Sequence, residues 1–418
     1  MKRTYMIPAL CLALFLICAS ACRRSGVLQQ KTPAASDEGP TQTAESLQTT
    51  PTSIPTGVRV DSPEELTAAP TAAETESVPE TEAETESAFQ VDYNDVGKAV
   101  VTVPGPKDPR PAYDYSFQPH VCSEICRMAL GEAVEQEIFA FEDAAFVGAD
   151  AFPCTGEENW ARVNAAMQEN LPLSVFLDIG ERFDPALLKG GQYPISYRIS
   201  KDAYLKKVED FRTRVTALIQ SADLRAGDTD LEKALKLYTE ESLRCEYNYR
   251  TYDAFKEGNY SANAYTALTT DKGICQEFAG AYAYLLQQVG VEASTVDSRM
   301  TDDNVHGWTV LRLDGSLYYA DVTWNLREPY SLRFFGVTDR ERRSNGVLTE
   351  YNDFGGYGII LNNDLQITDR RFCDDFPYVK WYRIDHEAQQ LLYYYDSDFD
   401  PTNPKCYTGE IAVFSLRP

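Results

Sequence analysis

The sequence predicts an α+β protein whose folded part follows a long unstructured segment. Three observations predict it. Apolar residues recur at three- and four-residue steps in several stretches, the period of helices with one buried face. A separate stretch, HGWTVLRLDGSLYYADVTWN, alternates apolar and other residues around Asp314-Gly315, the signature of an antiparallel hairpin with a two-residue turn. From about position 25 to 94, by contrast, Thr, Pro, Ala, Ser and Glu dominate, as in TETESVPETEAETES, with too little apolar surface to offset the entropy of ordering.

The elements follow in chain order. MKRTYMIPALCLALFLICASAC has two early basic residues, an apolar run over 6–18 and small residues before Cys22. The run is too short for a membrane span and reads as an export signal. Ala19-Ser20-Ala21-Cys22 resembles a bacterial lipobox, with Ala19 where leucine is usual; ordinary cleavage is the alternative. Residues 1–22 are therefore taken as a signal peptide and Cys22 as the lipidation residue. Residues 23–98 form an acidic tether. The protein is then extracytoplasmic and lipid-anchored, or secreted if cleavage is ordinary. A formal net charge of −25 argues against nucleic acid or an anionic membrane surface as a partner, although part of it belongs to the tether.

The remaining chain divides into a mostly helical region at 99–228, a core at 229–345 and a β-rich region at 346–418. CSEICRMALGEAV and ENWARVNAAMQENL read as helices and QYPISYRIS as a strand. In KDAYLKKVEDFRTRVTALIQSADL, Tyr204, Val208, Phe211, Val215 and Leu218 mark a buried helical face. A helix over 230–245 starts at a capping-type Asp and carries Leu231, Ala234, Leu235, Leu237 and Tyr238 inward. The tyrosine-rich EYNYRTYDAFKEGNYSANAYTALTT reads as irregular. In DKGICQEFAG, a turn at Asp271 and Gly273 precedes a helix whose inner face is Phe278, Ala281, Tyr282, Leu285 and Val289, with Gly290 as its stop.

Cys275 falls in the first turn of that helix, where backbone N–H groups and the macrodipole favour a thiolate and can hold an oxyanion beside it. Cysteine counting points the same way. Of ten cysteines, the signal and Cys22 account for three, leaving Cys122, Cys126, Cys154, Cys245, Cys275, Cys373 and Cys406, an odd number with disulfides unassigned. A small apolar cysteine also packs well in a core, so position alone does not make a nucleophile.

The hairpin supplies partners. With Leu313 opposite Ser316, register puts Trp308 opposite Asp321 and His306 opposite Thr323, all on one face, with His306 and Asp321 diagonal neighbours. A carboxylate on one ring nitrogen fixes the imidazole, and the other nitrogen can take the Cys275 proton and later give it to a leaving amine. Each residue also has a plain reading: a satisfied core histidine, a strand-end carboxylate, core tryptophans. Three such coincidences are less probable than one site.

GICQEFAGAYAYLLQQVGV followed by HGWTVLRLDGSLYYADVTWN resembles the transglutaminase-like superfamily of papain-type folds over about 229–339, including RFFGVTD. Cys275, His306 and Asp321 match its three catalytic positions. The resemblance implies an antiparallel sheet packed on the cysteine helix, and acyl transfer from an amide through a thioester. It does not specify hydrolysis or cross-linking, and the family includes members that have lost activity. Glu277 stands where Gly is frequent and Gly307 where Ala is frequent; Glu277 would oppose thiolate formation if it faced the sulfur. Gln276, through its backbone N–H, Tyr265 and Trp308 are supporting candidates.

No cofactor is expected. No metal-ligand spacing appears, Cys122 and Cys126 lacking a matching pair. His120 and His386 are weaker candidates, the latter in a surface turn. The β-rich end could serve substrate recognition, packing or partner binding. These readings together imply a cysteine-dependent amide hydrolase or acyltransferase acting on protein or peptidoglycan-peptide substrates, or else a catalytically silent surface-binding scaffold.

Overall fold

The computed structural model describes residues 108–119, 132–157, 171–299 except 181, 305–344 except 327 and 329, 366–395 except 375, and 411–417. It adds short strands at 90–93, 99–102, 352–354 and 359–360 and the helical residues 160 and 164. The signal, Cys22 and most of the tether expected over 23–98 lie outside them, as do Cys122, Cys126, Cys406 and His120; within that expected tether, however, Gln90–Tyr93 form a strand paired with Ala99–Thr102. Among the described residues no helix is long and apolar enough to cross a membrane. Cys154, Cys245, Cys275 and Cys373 are buried free thiols.

The first helices are α1 (Glu132–Val147) and α2 (Lys201–Ser221). The region between them also contains short strand pairs, Ala151–Pro153 with Gln192–Pro194 and Leu177–Asp178 with Ser196–Tyr197, so it is less purely helical than its sequence suggests. In α2 all five residues of the expected stripe are buried. The next helix, α3 (Asp230–Arg244), is capped one residue earlier than expected. Thr229 Oγ1 accepts from Glu232 N at 3.2 Å while Glu232 Oε2 accepts from Thr229 N at 2.7 Å, a reciprocal capping box.

The tyrosine-rich stretch is ordered rather than irregular. It comprises β1 (Glu246–Tyr247), α4 (Tyr249–Lys256) and α5 (Ala264–Thr270). Asn248 and Asn263 side chains cap the two helices, accepting from Thr251 N and Tyr265 N. β1 pairs in parallel with β2 (Lys272–Gly273), which leads directly into α6 (Cys275–Gln288). Gly290, at φ +82°, follows that helix's end, as expected of a left-handed stop.

A six-stranded sheet follows. Its strands are β3 (Ala293–Arg299), β4 (Val305–Leu313), β5 (Ser316–Ala320), β6 (Phe335–Val337), β7 (Asn352–Phe354) and β8 (Ile359–Ile360), in the order β6-β5-β4-β3-β7-β8, with every pairing antiparallel. Asp314 and Gly315 both have positive φ, 51° and 87°, and Leu313 pairs with Ser316 as the turn chemistry demands. The expected register holds from there to Thr309–Ala320 and then stops. Val322 turns into helical backbone, and Thr323–Asn325 form a 3₁₀ turn. Thr323 is therefore not a strand partner of His306, and Asp321 sits just past the strand end.

Leu311 and Leu313 join the large core that includes α3 and α6, whereas Trp308 and Val310 join a smaller cluster with Val296, Tyr319, Val337 and Ile367. The alternation of one strand thus feeds two cores. Beyond the sheet, α7 (Asp339–Ser344) is followed by a three-stranded sheet of β9 (Val379–Asp385), β10 (Gln390–Tyr395) and β11 (Ile411–Ser415). This terminal sheet packs on the core. Leu332 N donates to Val379 O at 3.1 Å, and the Trp381 indole N–H donates to Thr239 Oγ1 of α3 at 3.1 Å.

Candidate active site

The site forms where the start of α6 meets β4. Gly307 makes that approach possible: a Cβ there would lie 2.7 Å from Asp297 Oδ1 and 3.1 Å from Gln276 Cα. A methyl group there would need the Asp297 carboxylate to swing aside and the backbone after Cys275 to give by a few tenths of an ångström. Two residues on, Thr309 Oγ1 donates to Ala279 O at 3.0 Å and ties the next turn of the helix to the same strand. Cys275 is 1 % exposed. Its sulfur lies 3.1 Å from Gln276 Oε1, 3.9 Å from the Tyr247 hydroxyl and 4.0 Å from Val305 O.

Glu277 points elsewhere. Its Oε2 accepts from Ile274 N at 3.0 Å, closing the first turn of α6, and its Oε1 accepts from the Tyr260 hydroxyl at 2.5 Å. Burial raises its carboxyl above the usual range against the pull of those donors. The glutamate thus serves as a helix-start residue.

His306 and Asp321 meet, although the β4–β5 ladder ends at Thr309–Ala320, so neither the Trp308–Asp321 nor the His306–Thr323 pair of the expected register forms. Nε2 lies 2.7 Å from Asp321 Oδ2, and both side chains are buried. The ring stacks between Trp324, at 5.1 Å and 19°, and Trp308, at 5.9 Å and 29°. Cys275 lies near enough to the same ring to raise its pKa, and since Nε2 is taken by Asp321, Nδ1 is the nitrogen left for the thiol. Burial works against a charged imidazole, but the charge and hydrogen bond of Asp321, helped by Cys275, outweigh it and raise the pKa to about 9.

Asp321 is held on every side. Its Oδ1 accepts from Trp324 N at 3.2 Å, which uses the aspartate to start the 3₁₀ turn. Its backbone N donates to Phe334 O, and its carbonyl accepts from the Tyr238 hydroxyl of α3 at 3.1 Å. Burial would raise its carboxyl, yet His306 and Arg342 bring the pKa down to about 2. Arg342 comes from α7, is fully buried, and donates from Nη2 to Oδ2 at 2.7 Å.

The structure therefore brings Cys275, Gln276, His306, Trp308 and Asp321 together. Tyr265 belongs to an aromatic cluster with Phe211 and Phe176, at 5.8 and 5.0 Å, whereas the hydroxyl near the sulfur is that of Tyr247. Tyr247 carried a weak signal as one of many tyrosines before the cysteine, and Arg342 carried none. His386 sits in the turn between β9 and β10 and pairs with Glu232 of α3 at 2.9 Å. With Asp228 these two form the one group among the described residues whose spacing could hold a metal ion. Asp228 already pairs with Arg110 and Lys236 at 2.8 and 2.7 Å, so the group reads as an ion-pair clasp.

Residues 220–323 match the family model described as the Transglutaminase-like superfamily. No curated protein matches the chain. Among solved structures it is similar to a TGase, at 12 % identity and a TM-score of 0.25, over 37 % of this chain and 47 % of that one. It is also similar to a provisionally assigned cysteine protease from Cytophaga hutchinsonii, at 13 % identity and a TM-score of 0.23, over 34 % and 42 %. The chain thus spans under half the length of these structures, and superpositions this partial carry no argument of their own. Residues 220–323, which include Cys275, His306 and Asp321, form a domain of the transglutaminase-like superfamily.

Proposed function

We propose that the protein is an extracytoplasmic cysteine enzyme that takes an acyl group from an amide onto Cys275 and passes it to water or an amine. The observation that carries this reading is the buried pair in which Asp321 Oδ2 lies 2.7 Å from His306 Nε2, close enough to Cys275 for the thiol to raise the ring's pKa.

The chemistry follows from that order. Cys275 gives its proton to His306 Nδ1 and its sulfur attacks the carbonyl carbon, forming the C–S bond. The oxygen of the tetrahedral intermediate faces the start of α6, where backbone N–H groups and the Tyr247 hydroxyl can donate. His306 returns the proton to the departing nitrogen as the C–N bond breaks, leaving a thioester. Water or an amine, deprotonated by the now neutral His306, then attacks the thioester, and the sulfur leaves with the proton. Asp321 stays ionised throughout and holds the ring in place.

A lipid at Cys22 and a tether over 23–98 would present this site to surface proteins or cell-wall peptides. These are the substrates we propose, with the membrane met only through the lipid. The test is alkylation of the full chain by iodoacetamide at neutral pH, followed by intact mass. His306→Ala is expected to slow Cys275 labelling at least about tenfold. Equal rates would remove the activated nucleophile and leave the silent scaffold. A glutamine peptide offered with a primary amine would then separate transfer, seen as an adduct, from hydrolysis, seen as ammonia without adduct.

A further inference from the structure

Arg342 is buried more completely than its charge alone would favour, and the way it is held points at the relay. Its guanidinium carbon lies 4.5 Å from the centre of the Trp308 ring and 5.1 Å from that of Trp324. These are the two indoles that stack on His306. Of its nitrogens, Nη2 donates to Asp321 Oδ2, the oxygen that also receives His306 Nε2, whereas Nε and Nη1 have no hydrogen-bond partner. A cation placed only for stability would be expected to use its planar fork on both carboxylate oxygens. Here one oxygen is shared between two cationic donors, and the indoles face the rest of the guanidinium.

Resting on the function proposed above, we propose that Arg342 is a positioning residue that sets how firmly Asp321 holds the imidazolium of His306. The shared oxygen divides its charge between two donors. Without Arg342 the whole carboxylate charge would act on His306, and the imidazolium would give up its proton to a leaving amine less readily. With it, Asp321 still aligns the ring but binds the proton less tightly. The other groups that face this cluster are Cys275 from α6, with Tyr247 beside its sulfur, and Tyr238 on the Asp321 carbonyl. Tyr252 reaches Val305 O, and Tyr319, bonded to Asp339, lies within the field of Arg342 and Arg343. Asp297 stands against Gly307. Among the charged groups named here, Arg342 alone has a hydrogen bond to the oxygen that holds His306.

The test needs no substrate. The chain has three histidines, so the imidazole carbon signals of a ¹³C-histidine-labelled full chain can be followed against pH, with His306→Ala giving the assignment. Arg342→Gln keeps a donor for Asp321 and removes the charge. Its His306 transition is expected to move up on the order of one to two pH units, the shift for a unit charge a few ångströms away at protein-like screening. Arg342→Lys keeps the charge and is expected to titrate close to the parent. Should the glutamine variant not fold, Arg342→Met takes its place with the same expectation. A His306 transition that stays at the parent's pH in a folded neutral variant would overturn the proposal and leave Arg342 a structural cation. That result is distinct from failure of the nucleophile itself, which is read from iodoacetamide labelling of Cys275 with and without His306.

Discussion

Replacing Asp321 by Asn tests the relay through stability as well as reactivity. The substitution keeps the shape but puts a neutral amide where Oδ2 meets two donors, His306 Nε2 and Arg342 Nη2, and Oδ1 meets the Trp324 N–H. The magnitude follows from the imidazole. His306 lies at about 9 against an ordinary 6.5, and that difference corresponds to about 3 kcal/mol of extra stabilisation of the protonated ring. Because the folded value is the higher one, this stabilisation is fully present below pH 6.5 and is lost as the pH rises through about 9.

The assay is urea unfolding of the full chain at about pH 6 and about pH 10, in a Cys275→Ala background that leaves Asp321 as the partner of His306 under test. The Asp321 parent is expected to lose more than the Asn variant over that range, by up to about 3 kcal/mol less the share that Cys275 contributes to the shift. Without the carboxylate, burial acts on His306 with its main opponent gone, so less of the ring is protonated at neutral pH and iodoacetamide labelling of the Cys275-containing variant slows. Parallel pH dependences for the two proteins would show that Asp321 does not hold the imidazolium, and the reasoning would fail.

Other perturbations probe the walls of the site. Gly307→Ala drives a methyl group against Gln276 Cα and Asp297 Oδ1; it is expected to destabilise the protein by about 1–3 kcal/mol and to slow Cys275 labelling, read from unfolding curves and intact mass. Tyr247→Phe removes the hydroxyl 3.9 Å from the sulfur and is expected to lower acyl transfer roughly tenfold or more while thermal stability stays near the parent's, as measured by single-turnover acylation. Glu277→Ala loses the bonds to Ile274 N and Tyr260; it is expected to cost about 1–3 kcal/mol in denaturant unfolding yet leave the alkylation rate of the folded protein unchanged, because the carboxylate faces away from the thiol.

The elements that local chemistry controls were legible in the chain. Asp314-Gly315 admits the two positive φ values of a tight turn, so Leu313 opposite Ser316 follows, and with it the ladder as far as Thr309–Ala320, which leaves His306 and Asp321 at the same end of the hairpin. Cys275 at a helix start follows from the turn before it and the apolar face after it, both within a few residues. The tyrosine-rich stretch was harder to read because its two helices are short. They depend on single asparagine caps rather than on a long apolar period.

Which distant residues complete the site depends on how the elements pack. Arg342 lies in RERRS, whose local pattern is that of a solvated charged turn; it is buried because α7 packs over Trp308 and Trp324. Tyr247 reaches the sulfur through the parallel pairing of β1 with β2, whose partner strand lies beyond two intervening helices. His386 finds Glu232 only once the last sheet has packed on α3. Turn geometry and helix capping are properties of neighbouring residues, so the nucleophile's setting and the hairpin turn were readable in the chain, whereas the His306–Asp321 contact is completed past the strand end by the 3₁₀ turn and Arg342. The company those groups keep depends on how whole faces pack, and no period or short motif encodes that.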